Sequence, residues 1–183
     1  MPFILLLMGL IVVSFSMDNN KMNQQLSEKS KMMYGFIEKT GKKLGEKYEM
    51  SPIGIGGGGG PKEKKIWLMS ITFQRYGDPL TEQMARKLII NCVNDFLEIA
   101  NNDEELKPFL QDYPFTAKNL ELSVHNYDHD GYPIADPFIV IVNMCQGEVG
   151  YFTVEKNTSH PFKTKKYEPF EKAVAILKEE DKT

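Results

Sequence analysis

The chain has 183 residues, 42% hydrophobic and 26% charged, with a formal net charge of −3, which excludes collagen-like, low-complexity and wholly disordered polypeptides. Two cysteines exclude a disulfide-rich scaffold and a four-cysteine zinc site. Residues 21–65 hold ten Lys against five Glu, residues 66–155 five Lys/Arg against fourteen acids, and residues 156–183 seven Lys against five acids, so a basic arm, an acidic body and a mildly basic tail follow one another.

Residues 3–15 read FILLLMGLIVVSF, an apolar and uncharged run. Ser14 and Ser16 place small side chains just before Met17-Asp18, as a signal-peptidase site requires. The run is shorter than the roughly 20 residues that span a bilayer as a helix. A cleaved signal peptide over residues 1–16 is therefore expected, and with it export to the periplasm, the envelope or the medium. The alternatives are a short uncleaved anchor, or translation from Met17 and a cytoplasmic protein. No Lys or Arg precedes the run, and no Cys follows it for lipid attachment.

The arm, residues 17–50, carries Leu26, Met33, Ile37 and Leu44 at helical spacing, with Met22, Met32 and Phe36 beside them and Lys on the other faces. That pattern predicts a basic amphipathic helix. Gly35, Gly41 and Gly45 weaken it by about 1 kcal/mol each relative to Ala, so it needs a partner: its own domain, another protein, or an anionic membrane surface. Residues 51–65 contain five consecutive glycines, Gly56–Gly60, and read as a flexible linker. Pro61 and Lys62 follow where a phosphate-binding loop would need Gly-Lys-Ser/Thr, so nucleotide binding is not indicated.

The body, residues 66–183, starts with Ile66–Phe73, where Trp67, Met69, Ile71 and Phe73 alternate with Leu68, Ser70 and Thr72 as in a strand. Asp78 and Pro79 are suited to open a helix. Leu80, Met84, Leu88, Cys92 and Phe96 then recur at four-residue steps, with Ile89, Val93 and Leu97 widening the face, so a core helix is predicted over Pro79–Ala100. A short second helix, bent at Pro108, is expected from Glu104 to Asp112. Strands follow at Leu120–Asn126, at the apolar run Phe138–Met144, and at Val149–Glu155, the last two joined by the tight turn Gln146-Gly147-Glu148. Lys156–Lys166 reads as a polar loop, and Pro169 precedes a closing helix through Phe170, Val174, Ile176 and Leu177. The predicted fold is α+β: one domain of about four mostly antiparallel strands with helices on one face, ordered β-α-(α)-β-β-β-α, preceded by the amphipathic helix.

Few residues suggest chemistry. His125, Asp128, His129 and Asp130 fall within six positions and offer imidazole and carboxylate ligands for a metal, although Asp128–Gly131 also has the composition of a plain turn. His160 is the remaining histidine. Arg75 and Arg86 flank the start of the core helix, where free amides favour an anion, or else they pair with the acidic body. Cys92 and Cys145 both lie in apolar runs; after export they can form one disulfide, or remain as small buried hydrophobes. No Gly-x-Ser-x-Gly elbow is present, and no cofactor is indicated. The acidic body, without interleaved basic and aromatic residues, speaks against nucleic acid. Asn157-Thr158-Ser159 matches the glycosylation pattern.

The strings IWLMSITFQRYGDPLTEQMARKLI, PFLQDYPFTAKNLEL and KKYEPFEKAVAILKEE, behind the leader and the glycine-rich segment, resemble small uncharacterised exported proteins of bacteria over about residues 50–180. That resemblance implies secretion or envelope residence and assigns no activity. The chain departs from a lipoprotein version in lacking a leader cysteine. The expected function is an exported, non-enzymatic interaction protein that meets another protein or the membrane through its basic arm. The alternative is a small metal-dependent hydrolase using the His125/Asp128/His129/Asp130 cluster.

Overall fold

The structure, a computed structural model, describes residues 27–59, 65–155, 162–180 and 182. The expected leader, the glycosylation pattern Asn157–Ser159 and His160 lie outside the described residues. Ser27 caps helix α1, Glu28–Tyr48, its hydroxyl accepting from the Ser30 amide at 3.2 Å. The helix stops at Glu49, which takes a left-handed φ of 54°. Strand β1, Ser51–Gly58, returns along the helix, and β2, Leu68–Tyr76, pairs with it antiparallel. Helix α2, Glu82–Asn101, crosses to β3, Leu120–Tyr127, which runs parallel to β2. Strands β4, Ile141–Cys145, β5, Glu148–Val154, and β6, Phe162–Pro169, then add antiparallel, and helix α3, Phe170–Glu180, closes the chain. Among the described residues the strands form a single six-stranded sheet in the order β1-β2-β3-β4-β5-β6. Among the described residues, no helix is long and apolar enough to cross a membrane.

The α+β class holds, but the expectation of about four strands is corrected to six. Both additional strands are edges with weak signatures. The segment read as a linker is, over Ser51–Gly58, the edge strand β1. Its Gly56 to Gly58 carry no side chains to alternate, so neither packing nor period marks them as a strand. Part of the segment read as a polar loop is β6, whose Lys163, Lys165 and Lys166 suit a solvated edge.

The three helices among the described residues lie over one face of the sheet, the face bearing Met69, Ile71 and Phe73 of β2, Leu120, Leu122 and Val124 of β3, Val142 and Met144 of β4, and Val149 and Tyr151 of β5, all fully or almost fully buried. The apolar stripe of α1 is used here: Met33, Phe36, Ile37 and Leu44 are buried, and the Phe36 ring meets Phe96 edge-on at 5.7 Å. The arm is therefore packed into the body, and it is chiefly its lysine-bearing faces that remain exposed. Helix α2 starts later than expected. Leu80 is drawn into a bridge with Ile139, whose amide donates to the Leu80 carbonyl at 2.8 Å, so Thr81 rather than Asp78 becomes the cap. The same bridge holds Ile139 out of β4, which begins at Ile141. Ile89, Val93, Cys92 and Phe96 form the buried face of α2, while Leu88 is only half-buried. The expected second helix is a series of turns with one 3-10 turn at Lys107–Phe109.

The glycines of α1 are not equivalent. A methyl group on Gly45 would stand 2.6 Å from the Met50 carbonyl oxygen, backbone that cannot give way, whereas Gly35 has nothing within 4 Å. Gly45→Ala is expected to destabilise the fold by about 1–3 kcal/mol through overpacking. Gly35→Ala should instead stabilise it by about 0.5–1 kcal/mol through helix propensity. Thermal unfolding of the two variants checks both signs. Equal effects would mean that α1 does not approach the Met50 turn this closely.

Candidate binding face

Side chains alternate across a strand, so what the helices cover on one face leaves the other for solvent. The strand registers assemble that second face in rows. The central row runs Gly54–Thr72–Ser123–Asn143–Gly150–Tyr167 across all six strands. On one side of it lies Gln74–His125–Ile141–Phe152–Thr164, and on the other Gly56–Ser70–Glu121, continuing through Cys145, Glu148 and Pro169. Hydroxyl, amide and glycine positions fill the middle, and most residues of these rows are partly accessible.

Aromatic residues stand around that polar centre. Tyr76 and Tyr127 pair at 5.9 Å beyond the His125 row, and Phe152 meets Tyr167 edge-on at 5.8 Å over β5 and β6. Trp67, 42% exposed, lies over Gly58, where an added methyl would come within 2.5 Å of the indole. Gly150 gives room in the same way: a methyl there would stand 2.6 Å from Asn143 Oδ1 and 2.7 Å from the Tyr167 ring, so those side chains would have to move. Glycine at these two positions lets neighbouring side chains lie flat over the backbone.

The electrostatics of the face are mild. Burial lowers the His125 pKa below its ordinary value, which favours a neutral imidazole at physiological pH. Burial, the hydrogen bond to Glu121 and the nearby Glu148 push the Cys145 thiol up to about 11. Such a thiol is a poor nucleophile at neutral pH.

The residues expected to carry chemistry are dispersed. His125 points from β3 into the open face, whereas Asp128 closes a turn, its Oδ1 accepting from the amides of Asp130 at 3.0 Å and Tyr132 at 2.8 Å. His129 is 77% exposed, with Nε2 3.8 Å from Asp78 Oδ1. Among the described residues, no three His, Cys, Asp or Glu side chains are placed to hold a metal. The expected cluster of His125, Asp128, His129 and Asp130 is thus not assembled, because the turn engages Asp128 locally while His125 stays on the strand.

Arg75 and Arg86, the expected anion-binding pair, are both engaged within the fold. Arg75 Nη1 donates to Asn126 Oδ1 at 2.6 Å and to the Asp78 carbonyl at 3.0 Å. Arg86 is buried and donates to three carboxylates: Glu168 at 3.0 Å, Glu180 at 3.1 Å and Glu82 at 2.8 Å. Glu82 lies in the first turn of α2, so the chain supplies its own anion at the helix start. Cys92 and Cys145 are free thiols. Cys92 is buried in α2 under the covered face and Cys145 belongs to the open one, so the sheet separates them.

Two surface depressions add little. One of about 640 Å³ is lined by Pro79, Asp128, Tyr132, Pro133, Ile134 and Val154, and one of about 330 Å³ lies between α1 and α2 beside Lys39, Lys43, Glu98 and Asp103. Neither gathers the perturbed titratable groups that mark an active site. The row Thr72, Ser123, Asn143 and Tyr167 was not legible as a site from sequence. Its signal is the small polar residues alternating with apolar ones at 69–74 and 120–125, which marks a face without saying what lies beside it. Comparison with known proteins finds no matching family model, no matching curated protein and no matching solved structure.

Proposed function

We propose that the chain is an exported, non-enzymatic interaction protein that docks another protein on the open face of its sheet. The observation that supports this is the central row, Gly54–Thr72–Ser123–Asn143–Gly150–Tyr167, in which the partly accessible Thr72, Ser123 and Asn143 form a strip of small neutral polar groups bordered by aromatic rings. Tyrosine and tryptophan are favoured at interfaces because a large apolar body ends in a hydrogen-bonding group. Glu121 and Glu148 on the face, within a body where acids outnumber bases, suit a partner surface that is polar and basic. The arm takes part only through exposed lysines such as Lys31, Lys39 and Lys42, since its apolar stripe is spent on the core. Export rests on the apolar run 3–15 and the small residues Ser14 and Ser16. The metal-dependent hydrolase gains no support from the geometry, because its four residues do not converge.

Thr72→Arg and Ser123→Arg test the face. Each variant, immobilised and exposed to extract of the native host, is expected to lose at least about tenfold of the captured partner while keeping its melting temperature, as a bulky charge at an interface centre does. Asn94→Arg, on the exposed side of α2, should capture as the unmodified protein does. Capture unchanged by Thr72→Arg and Ser123→Arg but lost in Asn94→Arg would move the docking surface to the helices.

A further inference from the structure

The two edges of the sheet are built differently. Edge β6 carries Lys163, Lys165 and Lys166, has a register shift opposite Tyr151 and Phe152, and ends in Pro169. Charge, irregularity and proline are the devices that keep an edge strand from pairing with another chain. Edge β1 has no charged residue, and Gly54, Gly56, Gly57 and Gly58 make up half of it. Its inner side is registered to β2 from Ser51 to Gly58. Among the described residues, the backbone of β1 is bonded from outside β2 at one end alone, where the Trp67 amide just before β2 donates to the Gly58 carbonyl at 3.3 Å. Ile53, at the register shift between Pro52 and Gly54, is 48% exposed.

We propose that β1 pairs antiparallel with β1 of a second copy, joining two six-stranded sheets across a two-fold axis. A two-fold axis places the same donors and acceptors opposite one another, so an antiparallel edge is self-complementary without further design. A foreign peptide fits less well. Edge-binding peptides are selected by pockets for alternate side chains, and the glycines of β1 leave none. Self-pairing also brings no like charges together, since Ser51–Gly58 is uncharged. Pro52 removes a donor at one end, and the register shift beside it confines regular pairing to Gly54–Gly58. The exposed Ile53 side chain is then covered by the partner. This contact is distinct from the open face and leaves it free.

Sedimentation of the purified chain over a wide concentration range, with amide exchange at both extremes, tests the proposal. The expected result is a mass that doubles with concentration, together with slowing of the amides of Gly54–Gly58 by about tenfold or more as the dimer fills. Amides of β6 should exchange alike at both extremes. Ile53→Lys, at an exposed position, should abolish the dimer while keeping the melting temperature of the dilute protein; Lys165→Ala on β6 should leave the dimer unchanged. A monomer at every concentration would overturn the proposal. So would a dimer whose β1 amides exchange as in the monomer, or β1 amides slow at every concentration, which would mean that the chain itself covers this edge.

Discussion

Glu168→Ala is expected to destabilise the fold by about 3–5 kcal/mol, read as a lowered urea midpoint, because it takes from buried Arg86 the most deeply buried of its three carboxylates and from the Tyr151 hydroxyl its acceptor. The Glu168 side chain is 1% exposed and that of Arg86 5%. Oε1 of Glu168 accepts from Arg86 Nε at 3.0 Å and from the Tyr151 hydroxyl at 2.6 Å, while Oε2 stands 3.0 Å from Lys166 Nζ. Burial alone would raise this carboxyl; the hydrogen bonds from Tyr151, Lys166 and Arg86 outweigh it and hold the pKa below its ordinary value. The hydrogen bond from Lys166 lowers Glu82 in the same network. Both groups bind their protons less readily folded than unfolded. Their stabilisation is therefore complete above the ordinary carboxylate value of 4.5, and is lost as pH falls through the lower folded values. Glu168→Ala should accordingly flatten the acid limb of the stability profile as well as lower its plateau. A small loss with an unchanged acid limb would show that the network is solvated.

Phe96→Ala should cost about 3–5 kcal/mol through lost burial and a residual cavity. Phe96 is fully buried, and its ring meets Phe36 of α1 edge-on, beside the hydrogen bond from the Tyr48 hydroxyl to Asp95 that also ties the two helices. The loss should therefore loosen the arm as well as the body, visible as faster amide exchange along α1. Asn94→Ala, on the exposed side of α2, should change stability by no more than about 0.5 kcal/mol. Comparable losses at both sites would mean that α2 is covered on all sides.

Periodicity carried the sequence reading wherever a side chain had to be apolar. The four-residue steps of α2, and the alternation at Met69–Phe73 and Leu120–Val124, mark elements because burial imposes their period. The same logic fails at β1, whose glycines have no side chains to alternate, and at β6, whose lysines look the same on an edge strand as in a loop. It fails again for Arg86, whose partners Glu82, Glu168 and Glu180 come from α2, β6 and α3. Local spacing shows one of these pairs at most, the i, i+4 pair with Glu82; the other two carboxylates come from residues more than 80 positions away. The open face was half visible: Ser70, Thr72 and Gln74 alternate with buried neighbours, yet only the parallel pairing of β2 with β3 sets Thr72 beside Ser123. Parallel neighbours are joined by a long crossover, here α2 and the turns after it, and carry no short-range signature.

A photo-crosslinking residue placed at Ser123, and in a parallel strain at Asn94, measures the docking claim most directly in the native host. The expected result is a discrete protein adduct from Ser123, in the middle of the open face, and none from Asn94 on the outer side of α2. An adduct from Asn94 with none from Ser123 would contradict it and place the partner on the helices.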